Sequence, residues 1–480
     1  MMKKISLIVS GLVAAVSIQA AEQPNIVYMM LDEWGYYEMS NLGHPLLETP
    51  NMDQFRKEGM RFTQMLAGSV VCAPTRATLM LGKHSGHTSV RVNDGSTPIR
   101  AEDVTLAKVI NDAGYAVGGF GKWGIGDRGT EGVPEKHGFD IFYGYYNQGH
   151  AHSYYPDCLI KNSELVPLKG NVNHAFKGET FSQYLIHDEA KKFIREHAGK
   201  RPFFAYLPYT PPHAYYGIPE NDPDYLKYKD KDWDAPPHHR NPKVAPPDEA
   251  QRYAAFVSMM DRQLGEILAI LKEAGVDDNT IVILTGDNGG SCKPFSSKKY
   301  PHGFFGPNKD PKTGVVFRLG KGHVYEGGLR VAYLVRWPGK IKANSTSDHL
   351  GYFPDSFPTL ATLAGAQIPQ EIDGISFLPT LLGQDDQQKK HDYLYWEYKG
   401  QVAVRQGDWK LITDSAYQKK ELYNLASDVS ESDNIAEQHP EIVGRLMGLA
   451  KESHTPEVNG KILDKSKIWQ GKNRPKAYVE

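Results

Sequence analysis

The stretch Asn25-Ile-Val-Tyr-Met-Met-Leu31-Asp32-Glu33-Trp34-Gly35 is a continuous apolar run that ends abruptly in two carboxylates. An apolar run without alternation predicts a strand buried on both faces, the environment of a parallel sheet covered by helices. Thr280-Ile-Val-Ile-Leu-Thr285 repeats the pattern and runs into Gly286-Asp287-Asn288-Gly289-Gly290. Ahead of it, residues 250–274 place Ala254, Val257, Leu264, Ile267, Leu268 and Leu271 at helical spacing and stop at Gly275. Further strands are predicted over 115–120, 202–207 and 331–335. The expected fold class is α/β, with a large, mostly parallel sheet sandwiched by helices.

Outward from that core, the texture changes near Gly383. Tyr393-Leu-Tyr-Trp396, Val402-Ala-Val404 and Trp409-Lys-Leu-Ile412 are short aromatic and β-branched runs separated by turns. They predict a smaller antiparallel sheet, followed by a helix over about 440–452, so residues 22–383 are read as a catalytic domain and 384–480 as a C-terminal subdomain. Residues 216–247, rich in Pro, Asp, Tyr and His, read as a long surface insertion that walls a site. At the other end, Lys3 and Lys4 precede an apolar stretch over 5–18, and Ala20-Ala21 offers a small-residue cleavage point. Residues 1–21 therefore read as a signal peptide, the protein as periplasmic or secreted, and no stable membrane anchor is expected.

The chain of 480 residues is 40% hydrophobic and 23% charged, and 55 basic residues against 57 acidic leave a net charge of −2. That balance excludes disorder, collagen-like repeats and a polybasic nucleic-acid binder. Three cysteines, Cys72, Cys158 and Cys292, are an odd number for an exported chain, so at least one is unpaired; a Cys158 to Cys292 disulfide is one arrangement. Asp32-Glu33 and Asp287-Asn288 each follow a predicted strand. In one parallel sheet those strand ends share an edge, where open α/β sheets bind their ligands. An all-oxygen set of Asp32, Glu33, Asp287 and Asn288 selects a hard cation such as Ca²⁺ or Mg²⁺, whereas Asp and Asn in turns also serve simply as caps.

The stretch with most chemical weight is Val70-Val-Cys72-Ala-Pro74-Thr-Arg76-Ala-Thr-Leu-Met-Leu-Gly82. Cys-x-Pro-x-Arg arises by chance about 0.02 times in a chain of this composition. Pro74 suits the first turn of a helix, which puts residue 72 at a terminus that favours an anion. The segment resembles the signature of the formylglycine-dependent (type I) sulfatases of the alkaline phosphatase superfamily. Pro24-Asn-Ile-Val, Gly121-Lys122-Trp123-Gly124, Pro211-Pro-His213, Thr285-Gly-Asp287-Asn288 and Gly320-Lys321 with Glu326 and Arg330 resemble further family segments in the family's order. The resemblance runs from residue 24 to about 425.

The resemblance implies an alkaline-phosphatase-like fold and a sulfatase that hydrolyses sulfate esters. It implies that a formylglycine-generating or sulfatase-maturating enzyme oxidises Cys72 to formylglycine, whose hydrate attacks sulfur. It assigns Ca²⁺ to Asp32, Glu33, Asp287 and Asn288, positive charge on the sulfate or the diol to Lys122, Lys321 and Arg76, and the leaving-group acid to His213. Glu33 stands where the family usually has Asp, and Gly124 where many members have His. His323, or a histidine from His150-Ala-His152, is expected to fill the room beside Gly124 and bind substrate. The aromatic residues of 142–156 with Tyr215 and Tyr216 suit stacking on sugar rings. A sulfated carbohydrate, with a galactose-type 4-sulfate as the specific expectation, is therefore the predicted substrate. The alternatives are a phosphodiesterase or phosphonate monoester hydrolase of the same superfamily, and a catalytically silent sugar-binding relative.

Overall fold

In the computed structural model, which describes residues 23–93, 95, 97–172, 176–233, 246–291 and 308–456, ten strands form one large sheet. They are β1 (Asn25–Leu31), β2 (Met60–Phe62), β3 (Ala116–Lys122), β4 (Ile141–Tyr145), β5 (Cys158–Lys161), β6 (Glu164–Pro167), β7 (Phe203–Tyr209), β8 (Thr280–Gly286), β9 (Tyr333–Arg336) and β10 (Ser345–Ser347). Their spatial order is β10-β2-β9-β8-β1-β7-β3-β4-β5-β6. The block β8-β1-β7-β3-β4 is parallel throughout. Strand β9, one of the sequence-predicted strands, runs antiparallel to both of its neighbours.

Every residue of β1, β7 and β8 is buried, as unalternating apolar runs require. Alternate side chains feed two cores. Val27, Met29 and Leu31 join one that includes residues of α2 (Ser182–His197) and α3 (Glu249–Glu273). Ile26, Tyr28 and Met30 join the other, which includes residues of α1 (Cys72–Leu81) and of the helix Ser356–Ala364.

The C-terminal sheet holds β11 (Leu394–Tyr398), β12 (Gln401–Gln406), β13 (Trp409–Asp414) and β14 (Glu421–Asn424), antiparallel in sequence order. Helix α4 (Pro440–Ser453) packs against it. The chain thus has the α/β architecture with an appended antiparallel sheet that its patterning predicts.

The 216–247 segment differs from the expected surface insertion in its first half. Asp222 caps a short helix, Pro223–Tyr228, by accepting from the Asp224 N–H at 2.7 Å. Tyr216, Tyr228 and Trp233 are buried in the core with α3. Their aromatic area outweighs the local polarity that suggested a loop. Residues 1–22, which include the segment read from sequence as a signal peptide, residues 234–245 and Cys292 lie outside the described residues. No described helix is long and apolar enough to cross a membrane.

Candidate active site

Strand register brings the predicted acidic loops together. Leu31 lies opposite Gly286, and the Asp287 N–H donates to the Leu31 carbonyl at 2.9 Å. On the other side, the Asp32 N–H donates to the carbonyl of Tyr209, the last residue of β7, at 3.1 Å. Lys122 ends β3, and the turn after β7 carries His213. Cys72 opens α1, with all ten of that helix's residues buried.

The side chains form a dense ionic cluster. The Cys72 Sγ–H donates to Asp32 Oδ1 at 3.0 Å, and Lys122 Nζ lies 2.5 Å from Asp32 Oδ2. One helical turn beyond Cys72, Arg76 Nη2 lies 2.9 Å from Asp287 Oδ2 and 3.6 Å from Asp32 Oδ2. Its Nη1 donates to the Lys122 carbonyl at 2.5 Å, tying the helix to the strand end. Lys321 Nζ sits 3.0 Å from Glu33 Oε2 and 4.0 Å from Asp32 Oδ1. His213 Nε2 lies 3.3 Å from the same Glu33 oxygen.

Charge distribution follows burial. The Asp32 carboxyl is buried, which alone would raise its pKa, but Lys122 foremost holds it well below the usual carboxylate range. Asp287 moves the other way, raised by burial and then by the charge on Asp32. Burial, then Asp287 and Asp32, pushes the Cys72 thiol up to about 12, so it stays protonated at neutral pH. Burial followed by Lys321 holds His213 well below its ordinary value, and burial followed by Lys122 takes His152 down to about 3. Against burial, the carboxylates of Glu33 and Asp32 hold Lys321 well above its ordinary value.

The donor set fits a hard cation. Asp32, Asp287 and Asn288 are fully buried, and the Asn288 Oδ1 meets no donor among the described residues. Asp32, Cys72 and His213 place ligand atoms within 4.8 Å of one another. Two buried carboxylates this close resist joint ionisation, which a divalent ion relieves. Glu33, with a left-handed φ of 61°, gives its N–H to Asp287 Oδ1 at 3.0 Å while its carboxylate turns outward to Lys321 and His213.

The three histidines expected at the substrate separate. His152 lies at the cluster, its ring stacked on His213 with centroids 4.6 Å apart. His150, only two residues away, is fully buried, bonds the Cys158 carbonyl through Nε2 at 2.8 Å and packs edge-on to Tyr145. Within one 3₁₀ turn, His150–His152, the two rings thus take different partners, and His150 is a core residue. His323 sits partly buried in the turn after Lys321 and takes part in none of the hydrogen bonds or ion pairs around Cys72. Tyr145, Tyr146, Tyr154 and Tyr216, expected to present sugar-stacking faces, are buried in the core; Tyr215 stays partly exposed, edge-on to Phe176.

The room beside Gly124 is taken by Gln148, a residue without local sequence signal. A Cβ on Gly124 would lie 2.2 Å from Gln148 Nε2.

Residues 24–366 match the family described as sulfatase, and residues 317–451 match the family described as N-sulphoglucosamine sulphohydrolase, C-terminal. The N-acetylgalactosamine-6-O-sulfatase of Bacteroides thetaiotaomicron is 26% identical, over 91% of this chain and 94% of that protein. The N-acetylgalactosamine-6-sulfatase of Rattus norvegicus is 31% identical, over 78% of this chain and 68% of its own length. The crystal structure of Ps i-CgsB in complex with a neocarrahexaose superposes with a TM-score of 0.74 over 92% of this chain and 95% of that one, at 24% identity.

Proposed function

This chain belongs to the sulfatase family and is a sulfuric ester hydrolase, and from that premise we propose that it removes sulfate from a galactose-type sugar of a sulfated glycan, using formylglycine formed at Cys72. The observation that carries the reading is the placement of Cys72 at the first residue of α1, its Sγ 3.0 Å from Asp32, among Lys122, Arg76, Lys321 and His213. Two relatives are named for the 6-sulfate of N-acetylgalactosamine, which favours position 6 over the 4-sulfate expected from sequence.

Asp32, Asp287 and Asn288, joined by Glu33 from the rim, would hold a calcium ion, which when bound polarises the sulfate and acidifies a hydroxyl. Formylglycine at residue 72, once hydrated, would supply one hydroxyl as the nucleophile toward sulfur as the S–O bond to the sugar breaks, and a second whose proton loss would regenerate the aldehyde as sulfate leaves. The chain's own residues do the rest. Lys122 and Lys321 bring fixed positive charge to the sulfate oxygens, where charge spreads in the transition state. Arg76 clamps Asp287 and the end of β3, keeping Lys122 and the acidic loops in register. His213 protonates the departing sugar oxygen, and the arriving anionic ester favours the charged imidazole it needs. Its stacked neighbour His152 fixes the ring plane and lines the sugar pocket. Residues 22–383 are the catalytic domain that carries this chemistry, and the C-terminal subdomain 384–480 buttresses it through the sheet β11–β14 and α4. Export after removal of residues 1–21 places the enzyme in the periplasm or outside, where sulfated glycans are met, and a maturing enzyme acts on Cys72 beforehand.

The test is peptide mass spectrometry of residue 72 after coexpression with a maturing enzyme, together with sulfate release from 4- and 6-sulfated galactose and N-acetylgalactosamine, with and without chelator. Aldehyde at residue 72 and chelator-sensitive release, fastest from a 6-sulfate, are expected. A converted residue 72 with no release from any sulfated sugar overturns the substrate reading.

A further inference from the structure

Gly124 and Gln148 fit one another in a way that only a glycine allows. Gly124 has a φ of +80°, and its N–H donates to the Tyr146 carbonyl at 2.9 Å. Gln148 folds back over it, Nε2 donating to the Gly124 carbonyl at 3.3 Å. The space a Cβ would need is filled by that nitrogen at 2.2 Å, and the same point lies 3.5 Å from Cδ of Arg76. The Gln148 amide therefore occupies the place of a Cβ at 124, and the Arg76 stem borders that same place, with Arg76 one helical turn from residue 72.

Its other end is unsatisfied. Gln148 is only 4% exposed, and its Oε1 meets no donor among the described residues. Leaving a buried amide oxygen without a partner forfeits its solvation with nothing in return. The loop holding it is built to keep it there: Asn147 Nδ2 donates to Asp127 Oδ2 at 3.1 Å, and Asn147 Oδ1 accepts from the Gly149 N–H at 2.7 Å. An amide oxygen can only accept. It would repel sulfate oxygens and select a hydroxyl donor.

We propose that Gln148 is a positioning residue whose Oε1 accepts a hydrogen bond from a hydroxyl of hydrated residue 72, holding the hydrate against loss of water and turning the attacking oxygen toward sulfur. This rests on the formylglycine reading above. Glycine at 124 and glutamine at 148 are then one device, with the glycine making room and the glutamine supplying the acceptor.

The test uses the full chain, coexpressed with a maturing enzyme, as wild type, Gln148→Met and Gln148→Glu. Methionine keeps the volume without the acceptor, and glutamate keeps the acceptor. Three quantities are read: aldehyde content by mass spectrometry, the rate of oxime formation with hydroxylamine, which reports the unhydrated aldehyde, and kcat and KM with a sulfated sugar. For Gln148→Met the expected result is normal aldehyde content, oxime formation about threefold faster or more, and kcat down about 10- to 100-fold with KM near wild type. Gln148→Glu restores the slower oxime rate. Normal aldehyde content with unchanged oxime rate and kcat in Gln148→Met overturns the proposal and leaves the proposed function standing. A thiol at residue 72 of the wild type after coexpression overturns both.

Discussion

Asp127 sits behind the loop that carries Gln148, with its Oδ1 accepting from the Arg128 N–H at 2.8 Å and its Oδ2 from Asn147. Burial pushes its pKa up to about 7 from 3.8, with the hydrogen bonds pulling back. The folded protein therefore holds this proton more tightly than the unfolded chain. Asp127's contribution to stability is fully present below the unfolded value and is lost as pH rises through the folded one. Relative to Asp127→Asn, the wild-type melting temperature is expected to fall between about pH 4 and about pH 7. Thermal melts of both proteins across that range check it, and a difference independent of pH would contradict the assignment. Glu33 makes a related point. A left-handed backbone at a non-glycine residue costs about 1 kcal/mol or more, and here it lets one residue offer its N–H to Asp287 and its carboxylate to Lys321.

Strands β3 and β4 pair Gly121 with Gly144. Gly144 has a φ of +152°, and a Cβ there would lie 2.0 Å from the Gly121 carbonyl oxygen. The next residue along β3 is Lys122, whose amine reaches Asp32. Gly144→Ala is expected to force the strands apart, costing about 1–3 kcal/mol by overpacking, and to lower turnover by displacing Lys122. Denaturant unfolding with kcat on the same preparation measures both, and unchanged values would mean that the strand pair yields without moving the lysine.

The two sheets are joined by buried charge beside the active site. Lys410, fully buried on β13, lies 3.0 Å from Glu326 Oε1 and 2.7 Å from Glu431 Oε1, and Arg330 Nη2 lies 2.6 Å from Glu326 Oε2. Gln401 bridges the same segment, donating to the Gly322 carbonyl at 2.9 Å, and Trp396 Nε1 donates to the Ala67 carbonyl at 2.8 Å. Removing one member of such a network strands the others in low dielectric. Lys410→Met is therefore expected to destabilise by about 3–5 kcal/mol and to weaken activity through the segment that carries Lys321. Chemical denaturation decides this, and a loss below about 1 kcal/mol would show that the joint does not depend on the ion pairs.

Much of this molecule is legible locally. Unalternating apolar runs specify buried strands, helical spacing specifies α3, and Cys-x-Pro-x-Arg with its ordered companions specifies the family and most of the cluster, because each depends on residues close in sequence. Asp32 and Asp287 are 255 positions apart, yet their meeting follows from two parallel strands ending at one edge. What local pattern leaves undetermined is direction. His150 and His152 are indistinguishable in sequence, and only the packing of one 3₁₀ turn sends one ring into the core and the other onto His213. The tyrosines read as sugar platforms are core for the same reason. Gln148 has no sequence signature at all; its proximity to Gly124 and Arg76 comes from long-range packing between the end of β3 and the loop after β4. Periodicity thus determined the architecture, and the ordered motifs, through the family they resemble, the chemistry, whereas the tertiary structure decided which side chains face that chemistry, since facing is set by the register and packing of distant segments.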